Sequence, residues 1–283
     1  MIGPSPRVRR RLWSGLMTVT VAALCLLAVL PLLFIFGDLV AKGASALDWH
    51  FFTRNPAAAG EAGGGVANAI VGTGIVVGLS ALIGLPVGIG AGIFLAEYGS
   101  GRLGWLVRFV ADVMNGTPSI VVGIFAWTWM VKPLGHFSAL AGAVALAILM
   151  IPMIARTTEE MVRLVPHSLR EAALALGYPR WRTSLAVVVR TALAGIVTGC
   201  LIGVARVAGE TAPLLFTALG NLNFTTNVLQ PMQTLSLQIY VYATGPFDEW
   251  HRLAWAAALV LMGLVLILAL LARWATRQRY GAR

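Results

Sequence analysis

Long apolar runs dominate the chain and alternate with short polar or charged segments. Each run reaches the roughly 20 residues that an α-helix needs to cross a bilayer. The pattern therefore predicts an all-α, polytopic membrane protein with six transmembrane helices, at residues 14–40, 66–96, 105–131, 137–156, 184–216 and 250–274. An even number of spans places both termini on one side of the membrane.

No internal repeat or low-complexity linker divides the sequence, so residues 1–283 are expected to form a single membrane domain. Its parts would be a first helix at 14–40, a core at 66–274, a long connection at 157–183 and a second long connection at 217–249. The first apolar run exceeds the roughly 7–15 residues of a signal-peptide core. We therefore expect it to be retained, although Ala44-Ser45-Ala46 resembles a cleavage site.

Composition agrees with a membrane environment and gives the orientation. Hydrophobic residues make up 58% of the chain and charged residues only 11%, with 21 Lys and Arg against 11 Asp and Glu. In a soluble protein this excess of positive charge would suggest nucleic acid. Here sixteen basic residues fall on one side of the predicted spans and four on the other. The positive-inside rule then predicts that both termini and the 157–183 connection are cytoplasmic, and that nucleic acid is not a partner.

The sequence carries no motif of a covalent catalyst. ATP hydrolysis would need a GxxxxGK[ST] loop, but the only lysines are Lys42 and Lys132 and no such loop contains them. We therefore expect no enzymatic activity and no cofactor on this chain. Cys25, Cys200 and four scattered histidines lack the spacing of a disulfide framework or a metal site.

The cytoplasmic connection contains the stretch PHSLREAALALGYPRWRT at 166–183. Gly177 is expected to end a short helix there, since Pro179 prevents its immediate continuation. One face of this helix carries small or apolar residues at helical spacing: Leu169, Ala172, Ala173 and Leu176.

This helix has two interpretations, of which the residue spacing favours the second. It could lie on lipid headgroups, which Arg170, Arg180 and Arg182 would suit. Alternatively, Glu171-Ala172-Ala173, three residues and then Gly177 resemble the EAA loop of ABC importer membrane subunits. That resemblance implies a coupling helix that inserts into a separate ATPase subunit, which would bind the ATP and Mg²⁺.

The stretch ARVAGETAP at 205–213 places two charges in an apolar segment. A charge at mid-membrane costs about 2.5–3.5 kcal/mol and usually marks a substrate path. On a continuous helix Arg206 and Glu210 would share a face and partly neutralise each other. They would form either a structural salt bridge or a site where Arg206 binds an oxyanion, with Thr211 beside it. Pro213 is expected to kink the helix.

Another polar stretch, NGTPSI at 115–120, interrupts the third predicted span with Gly116 and Pro118. It is interpreted either as a kink alone or as part of the substrate path. In the second case the path would be lined by Asn115, Thr117 and Ser119. Asp112, one turn earlier, is expected to partner an arginine of this subunit or of a neighbouring one.

The outer connection 217–249 is polar but nearly free of charge until Asp248. It is interpreted with equal weight as a docking surface for an extracytoplasmic partner and as a simple lid between two helices.

Several stretches together resemble one family, the PstA permeases of bacterial phosphate ABC importers. They are LPVGIGAGIFLAEY, NGTPSIVVGIF, IPMIARTTEEMVRLVP, EAALALGYPRW and VARVAGETAPLLFTALGN, within about residues 66–250. One departure is Arg190, which stands where the general EAA pattern ends in proline.

The resemblance implies a type I ABC importer permease in the bacterial inner membrane. It implies transport-essential arginines at positions matching Arg156 and Arg206, with Glu210 as the acidic member of the second motif. From the residues alone, Arg156 is either a positive-inside anchor or an exit-side ligand. The implied partners are a PstC-type permease, a PstB-type ATPase dimer, a PstS-type binding protein and phosphate. Other oxyanions, such as sulfate or phosphonate, and a scaffold or sensor without transport are the alternatives.

Overall fold

The computed structural model describes residues 6–58, 60–61 and 63–277, and in this part the secondary structure is helical apart from isolated β-bridges. The predicted cytoplasmic ends fall partly on residues 1–5 and 278–283, outside the described residues. The helices are α1 (Pro6–Gly43), α2 (Trp49–Thr53), α3 (Ala67–Glu97), α4 (Arg102–Gly116), α5 (Ser119–Leu134), α6 (Ala139–Arg163), α7 (His167–Ala175), α8 (Arg180–Ala208), α9 (Ala212–Leu215), α10 (Leu235–Thr244) and α11 (Asp248–Arg277).

The all-α membrane fold is confirmed. In the described part of the chain, α1, α3, α6, α8 and α11 are each long and apolar enough to cross a membrane. The helices α4 and α5 bring the number to six if together they form one broken span. The third predicted span is therefore two helices that meet at an angle of 105°.

Close packing of α3 against α6 forms the centre of the bundle. In α6, 61% of the most apolar window is buried, more than in any other candidate span of the described chain. Glycines of α3 allow the approach, because a Cβ at Gly88 would lie 2.8 Å from the Ile154 side chain and one at Gly92 would lie 2.5 Å from the Ala155 carbonyl oxygen. Small residues in this arrangement are the usual means of bringing membrane helices together.

The first helix stands apart from this centre. None of the most apolar window of α1 is buried. Only its end packs on the bundle, where Leu39 and Ala46 are buried and Gly43 approaches the backbone of Trp255 in α11. The apolar surface of α1 is therefore available to lipid or to another subunit.

Two predicted boundaries differ from the structure, and one predicted connection contains a further helix. The fourth span continues as helix to Arg163, so the connection predicted at 157–183 begins later than residue 157. The fifth span ends at Ala208 and not at 216. The outer connection 217–249 contains α10, which is no surface lid, because Gln238 and Tyr242 are at most 1% exposed. The apolar residues of α10 give it a core face that the low charge of the connection did not reveal.

Candidate functional site

The break between α4 and α5 forms one wall of the site. Thr117 and Pro118 are extended, with ψ angles of 132° and 134°, and the chain turns sharply between the two helices. Proline disfavours a helical conformation in the residue before it, so α4 stops at Gly116. The sequence predicted a break here, and the structure shows a bend of 105° between the two helices. Because α5 begins at this bend, its first backbone N–H groups have no partner one turn earlier in the same helix.

The end of α8 forms the opposite wall and corrects the expected geometry of ARVAGETAP. Arg206 lies in the last turn of α8, Gly209 caps the helix, and Glu210 lies beyond its end. Arg206 and Glu210 therefore do not share a face of one helix. The expected kink at Pro213 is therefore absent, because Pro213 lies in the first turn of the separate helix α9. Backbone N–H groups in a first turn have no intrahelical partner, so a proline fits there without loss of a hydrogen bond.

These two breaks enclose a cavity of about 240 Å³. Five of the predicted path residues line it together: Asn115, Thr117, Ser119, Arg206 and Glu210. Met153 and Leu149 of α6 complete the wall between the breaks. Two predicted members lie elsewhere, because Thr211 starts α9 without lining the cavity and Arg156 belongs to a separate cluster.

Arg206 has no carboxylate partner in the cavity. Among the described residues no Asp or Glu oxygen lies within 4 Å of its guanidinium, and its Nη1 lies 3.8 Å from the sulfur of Met153. The side chain is exposed, so it is neither sealed among helices nor neutralised. The N-terminal end of α5, at Ser119, adds a partial positive charge on the same cavity. The combination suits a mobile anion.

Arg156 lies in an ion-pair cluster, which we call the Glu159 cluster. Its Nε is 3.0 Å from Asp112 Oδ1 and its Nη1 is 2.9 Å from Glu159 Oε2. The Glu159 carboxylate is only 1% exposed and also lies 2.7 Å from both Arg108 Nε and Arg163 Nη2. Asp112 thus has its arginine partner within this chain, and the cluster fixes α4 to α6.

The sequence reasoning missed Glu159, Arg108 and Met153. Glu159 stands in the quoted stretch IPMIARTTEEMVRLVP, three residues after Arg156 and four before Arg163, which is the spacing of facing charges on a helix. That spacing was a usable signal. Nothing in the sequence pointed to Arg108 as its third partner, because that contact joins distant segments.

The proposed coupling helix is present as α7. Gly177, with a φ of +82°, ends it in a Schellman arrangement in which Gly177 N–H donates to the Leu174 carbonyl and Tyr178 N–H to that of Ala173. Of the predicted apolar face only Ala173 is buried. The other three members of that face are exposed, namely Leu169, Ala172 and Leu176. Glu171 and Gly177 are exposed as well.

Arg170 is not available to lipid headgroups, as the first interpretation of this helix would require. Its side chain is 16% exposed and forms an ion pair with Glu97 at the end of α3, with Nη2 2.9 Å from Oε1. It also donates to the carbonyls of Val162 and Val165, and Glu97 accepts from the hydroxyl of Ser184 in α8. The helix α7 is thereby attached to the neighbouring ends of three membrane helices, α3, α6 and α8.

Comparisons with known proteins agree with this architecture. Residues 88–279 match the family model of the binding-protein-dependent transport system inner membrane component. A phosphate transport system permease protein PstA of Yersinia pestis is 45% identical over 93% of this chain and 90% of its own length. A probable PstA of Methanocaldococcus jannaschii is 41% identical, covering 91% of each chain.

A solved structure shows the same fold at lower identity. The chain is similar to a chain of the inward-facing MetNI methionine ABC transporter, with a TM-score of 0.61, 19% identity and coverage of 77% of this chain and 96% of that one. At this identity the likeness concerns the fold alone.

Proposed function

Because the chain belongs to the PstA permeases, within the family of binding-protein-dependent transport system inner membrane components, we propose that it forms one half of the membrane path of a phosphate importer. Arg206 binds the phosphate in transit, and Asn115 and Ser119 supply further hydrogen bonds. The chain moves its substrate without changing any covalent bond, since the ATP is hydrolysed on a separate subunit.

The observation that carries this proposal is the absence of a carboxylate partner at Arg206. A guanidinium presents a planar fork of N–H donors that fits phosphate oxygens. Those donors are available here, because Arg206 lines a polar cavity without an ion pair among the described residues. A single arginine leaves part of the phosphate charge unbalanced, so a PstC-type permease is proposed to complete the site from the other side.

The exposed face of α7 is the proposed contact with the ATPase. Leu169 and Leu176 are 41% and 79% exposed, next to the exposed Glu171 and Ala172. Leucines exposed on a short helix that is attached through Arg170 to three spans suit insertion into a groove of a PstB-type ATPase dimer, which would hold ATP and Mg²⁺. Closure of that dimer would then move the ends of α3, α6 and α8 together.

The charge distribution supports the remaining parts of the proposal. Both termini and α7 would lie in the cytoplasm of a bacterium, with residues 219–229 on the opposite side as the contact for a PstS-type binding protein. Leu222 and Leu229 are 52% and 53% exposed there.

Replacement of Arg206 by alanine in the complete reconstituted transporter tests the proposal. We expect ATP-dependent uptake of radiolabelled phosphate to fall by about a hundredfold or more, because a charged hydrogen-bond donor set is lost. Arg190→Ala is the matched control, since Arg190 is exposed on the same helix and lines no part of the cavity. Assembly of the complex should be unchanged in both variants.

Two outcomes would contradict the proposal. Uptake by Arg206→Ala at the rate of Arg190→Ala would favour a scaffold or sensor in which Arg206 has no part in transport. Complete inhibition of phosphate uptake by excess unlabelled sulfate in the unmodified complex would make another oxyanion the substrate.

A further inference from the structure

The carboxylate of Glu210 has no hydrogen-bond or ion-pair partner among the described residues, although the Glu210 backbone is hydrogen-bonded on both sides. The Glu210 N–H donates to the Val207 carbonyl, at 3.1 Å, and the Glu210 carbonyl accepts from the Ser236 hydroxyl of α10, at 3.0 Å. Ser236 is 4% exposed, so the attachment is to a buried part of the bundle. No described residue donates a hydrogen bond to the side chain, which lines the cavity.

A carboxylate is an unexpected member of a cavity for anions. Among the described residues that line it, Arg206 is the one cation and Glu210 the one anion, and they form no ion pair with each other. Neutralising Arg206 is therefore not what Glu210 does in this structure. Its negative charge weakens the binding of any anion that cannot donate a hydrogen bond to the carboxylate.

Oxyanions differ in what they offer to a carboxylate. At neutral pH phosphate keeps one or two O–H groups, whereas sulfate is fully ionised and has none. An ionised carboxylate accepts hydrogen bonds and donates none. It can therefore form a short, charge-assisted bond with a phosphate O–H but only repels sulfate.

We propose that Glu210 is the selectivity group of the cavity: its carboxylate accepts the O–H of a protonated phosphate and rejects oxyanions of similar shape that lack an O–H. Arg206 binds the unprotonated oxygens of the same ligand. This inference rests on the proposed function, since it takes phosphate as the ligand of the cavity.

Other acceptors of the cavity do not reproduce this discrimination. The Thr117 hydroxyl already donates to the Val113 carbonyl of its own helix, at 2.8 Å. Asn115 and Ser119 can each act as donor or acceptor, so they adapt to phosphate and sulfate alike. Only a group that cannot donate distinguishes the two anions.

Equilibrium binding to the purified membrane complex, without the binding protein, tests the inference. Leaving the binding protein out removes its own selectivity from the measurement. The probes are inorganic phosphate, sulfate and monofluorophosphate, the last being a phosphorus oxyanion that carries no O–H at neutral pH. In the unmodified complex we expect phosphate to bind about tenfold or more tightly than the other two.

Glu210→Gln should remove this preference. A glutamine amide can donate to sulfate and no longer repels it, so sulfate and monofluorophosphate should bind about tenfold more tightly than before while phosphate binds more weakly. Arg190→Ala serves as the control, with all three affinities unchanged. The melting temperature of the complex, measured beside the binding, shows that the variants are folded.

The outcomes separate this inference from the function on which it rests. If Glu210→Gln weakens all three anions equally, Glu210 acts only by positioning Arg206 and the selectivity role is overturned, while phosphate transport stands. If the unmodified complex imports phosphate but binds the three anions equally, the selectivity role is overturned and the proposed transport function stands. If the unmodified complex neither binds nor imports phosphate, the proposed function fails and this inference fails with it.

Discussion

Arg156 and Arg206 lie on neighbouring helices of the same bundle, but their surroundings differ. Arg156 contacts two carboxylates, Asp112 at 3.0 Å and Glu159 at 2.9 Å. Arg206 has no carboxylate within 4 Å in the described chain and touches a methionine sulfur instead. One arginine is thus part of a network of ion pairs, and the other forms no ion pair with the described residues.

This difference separates two uses of charge in a membrane domain. In the Glu159 cluster three guanidiniums surround the Glu159 carboxylate, so the burial of that carboxylate is tolerable and the ion pairs connect α4 to α6. At the cavity Arg206 forms no ion pair with the described residues, which is tolerable because its side chain is exposed. The resemblance implied that both arginines are essential for transport, and the structure indicates that removing them would act through different causes.

The strongest test of the comparison removes the acidic centre of the cluster. Glu159→Gln leaves three guanidiniums, those of Arg108, Arg156 and Arg163, around a group that no longer carries a charge. Breaking a buried ion pair from one side typically costs about 3–5 kcal/mol. We expect a marked fall in the melting temperature and yield of the purified complex.

The adjacent residue provides the control for this variant. Glu160 is exposed and its carboxylate has no ion-pair partner among the described residues, so Glu160→Gln should leave the free energy of unfolding within about 0.5 kcal/mol of that of the unmodified chain. Equal melting temperatures for Glu159→Gln and Glu160→Gln would show that the cluster does not hold the helices together.

A second test converts the cavity into a copy of the cluster. Met153→Glu would place a carboxylate beside Arg206, whose Nη1 is 3.8 Å from the Met153 sulfur. The new ion pair would compete with the substrate for the same donors, so phosphate uptake should fall by about tenfold or more while the complex still assembles. Uptake is measured with radiolabelled phosphate in proteoliposomes.

Met153→Gln is the matched variant, because it changes the same side chain to a similar size without adding a charge. It should retain most of the uptake. If Met153→Glu transported phosphate as well as Met153→Gln, transport would not require Arg206 to be free of an ion pair.

The parts of this molecule that follow from local sequence were predictable. The length of the hydrophobic runs predicted the membrane spans. Gly177 predicted the end of α7, because a residue in the left-handed region terminates a helix wherever it occurs. The break at Pro118 was likewise a local effect. The polar residues around it were expected to line a path, and the structure places Asn115, Thr117 and Ser119 on one cavity.

Long-range contacts could not be predicted in the same way. The expected pairing of Arg206 with Glu210 assumed that one helix runs through both residues. In the structure α8 stops at Ala208, since Pro213 is accommodated at the start of a new helix rather than inside the old one. The contacts of Arg108 with Glu159 and of Arg170 with Glu97 join segments 51 and 73 residues apart, and no spacing rule reaches that far.

The smallest expected effect concerns the exposed member of the Glu159 cluster. The Asp112 side chain is 55% exposed, against 1% for Glu159, although both contact Arg156. Solvent screens such a pair, so Asp112→Asn should cost at most about 1 kcal/mol, measurable as a small shift in melting temperature that shrinks further at high salt. Arg156 would still contact Glu159, and phosphate uptake should stay within about twofold of the unmodified complex. A loss of stability as large as that of Glu159→Gln would mean that Asp112 is shielded from water in the assembled complex. Burial of Asp112 by a neighbouring subunit would then make the two carboxylates alike, and solvent screening would not distinguish them.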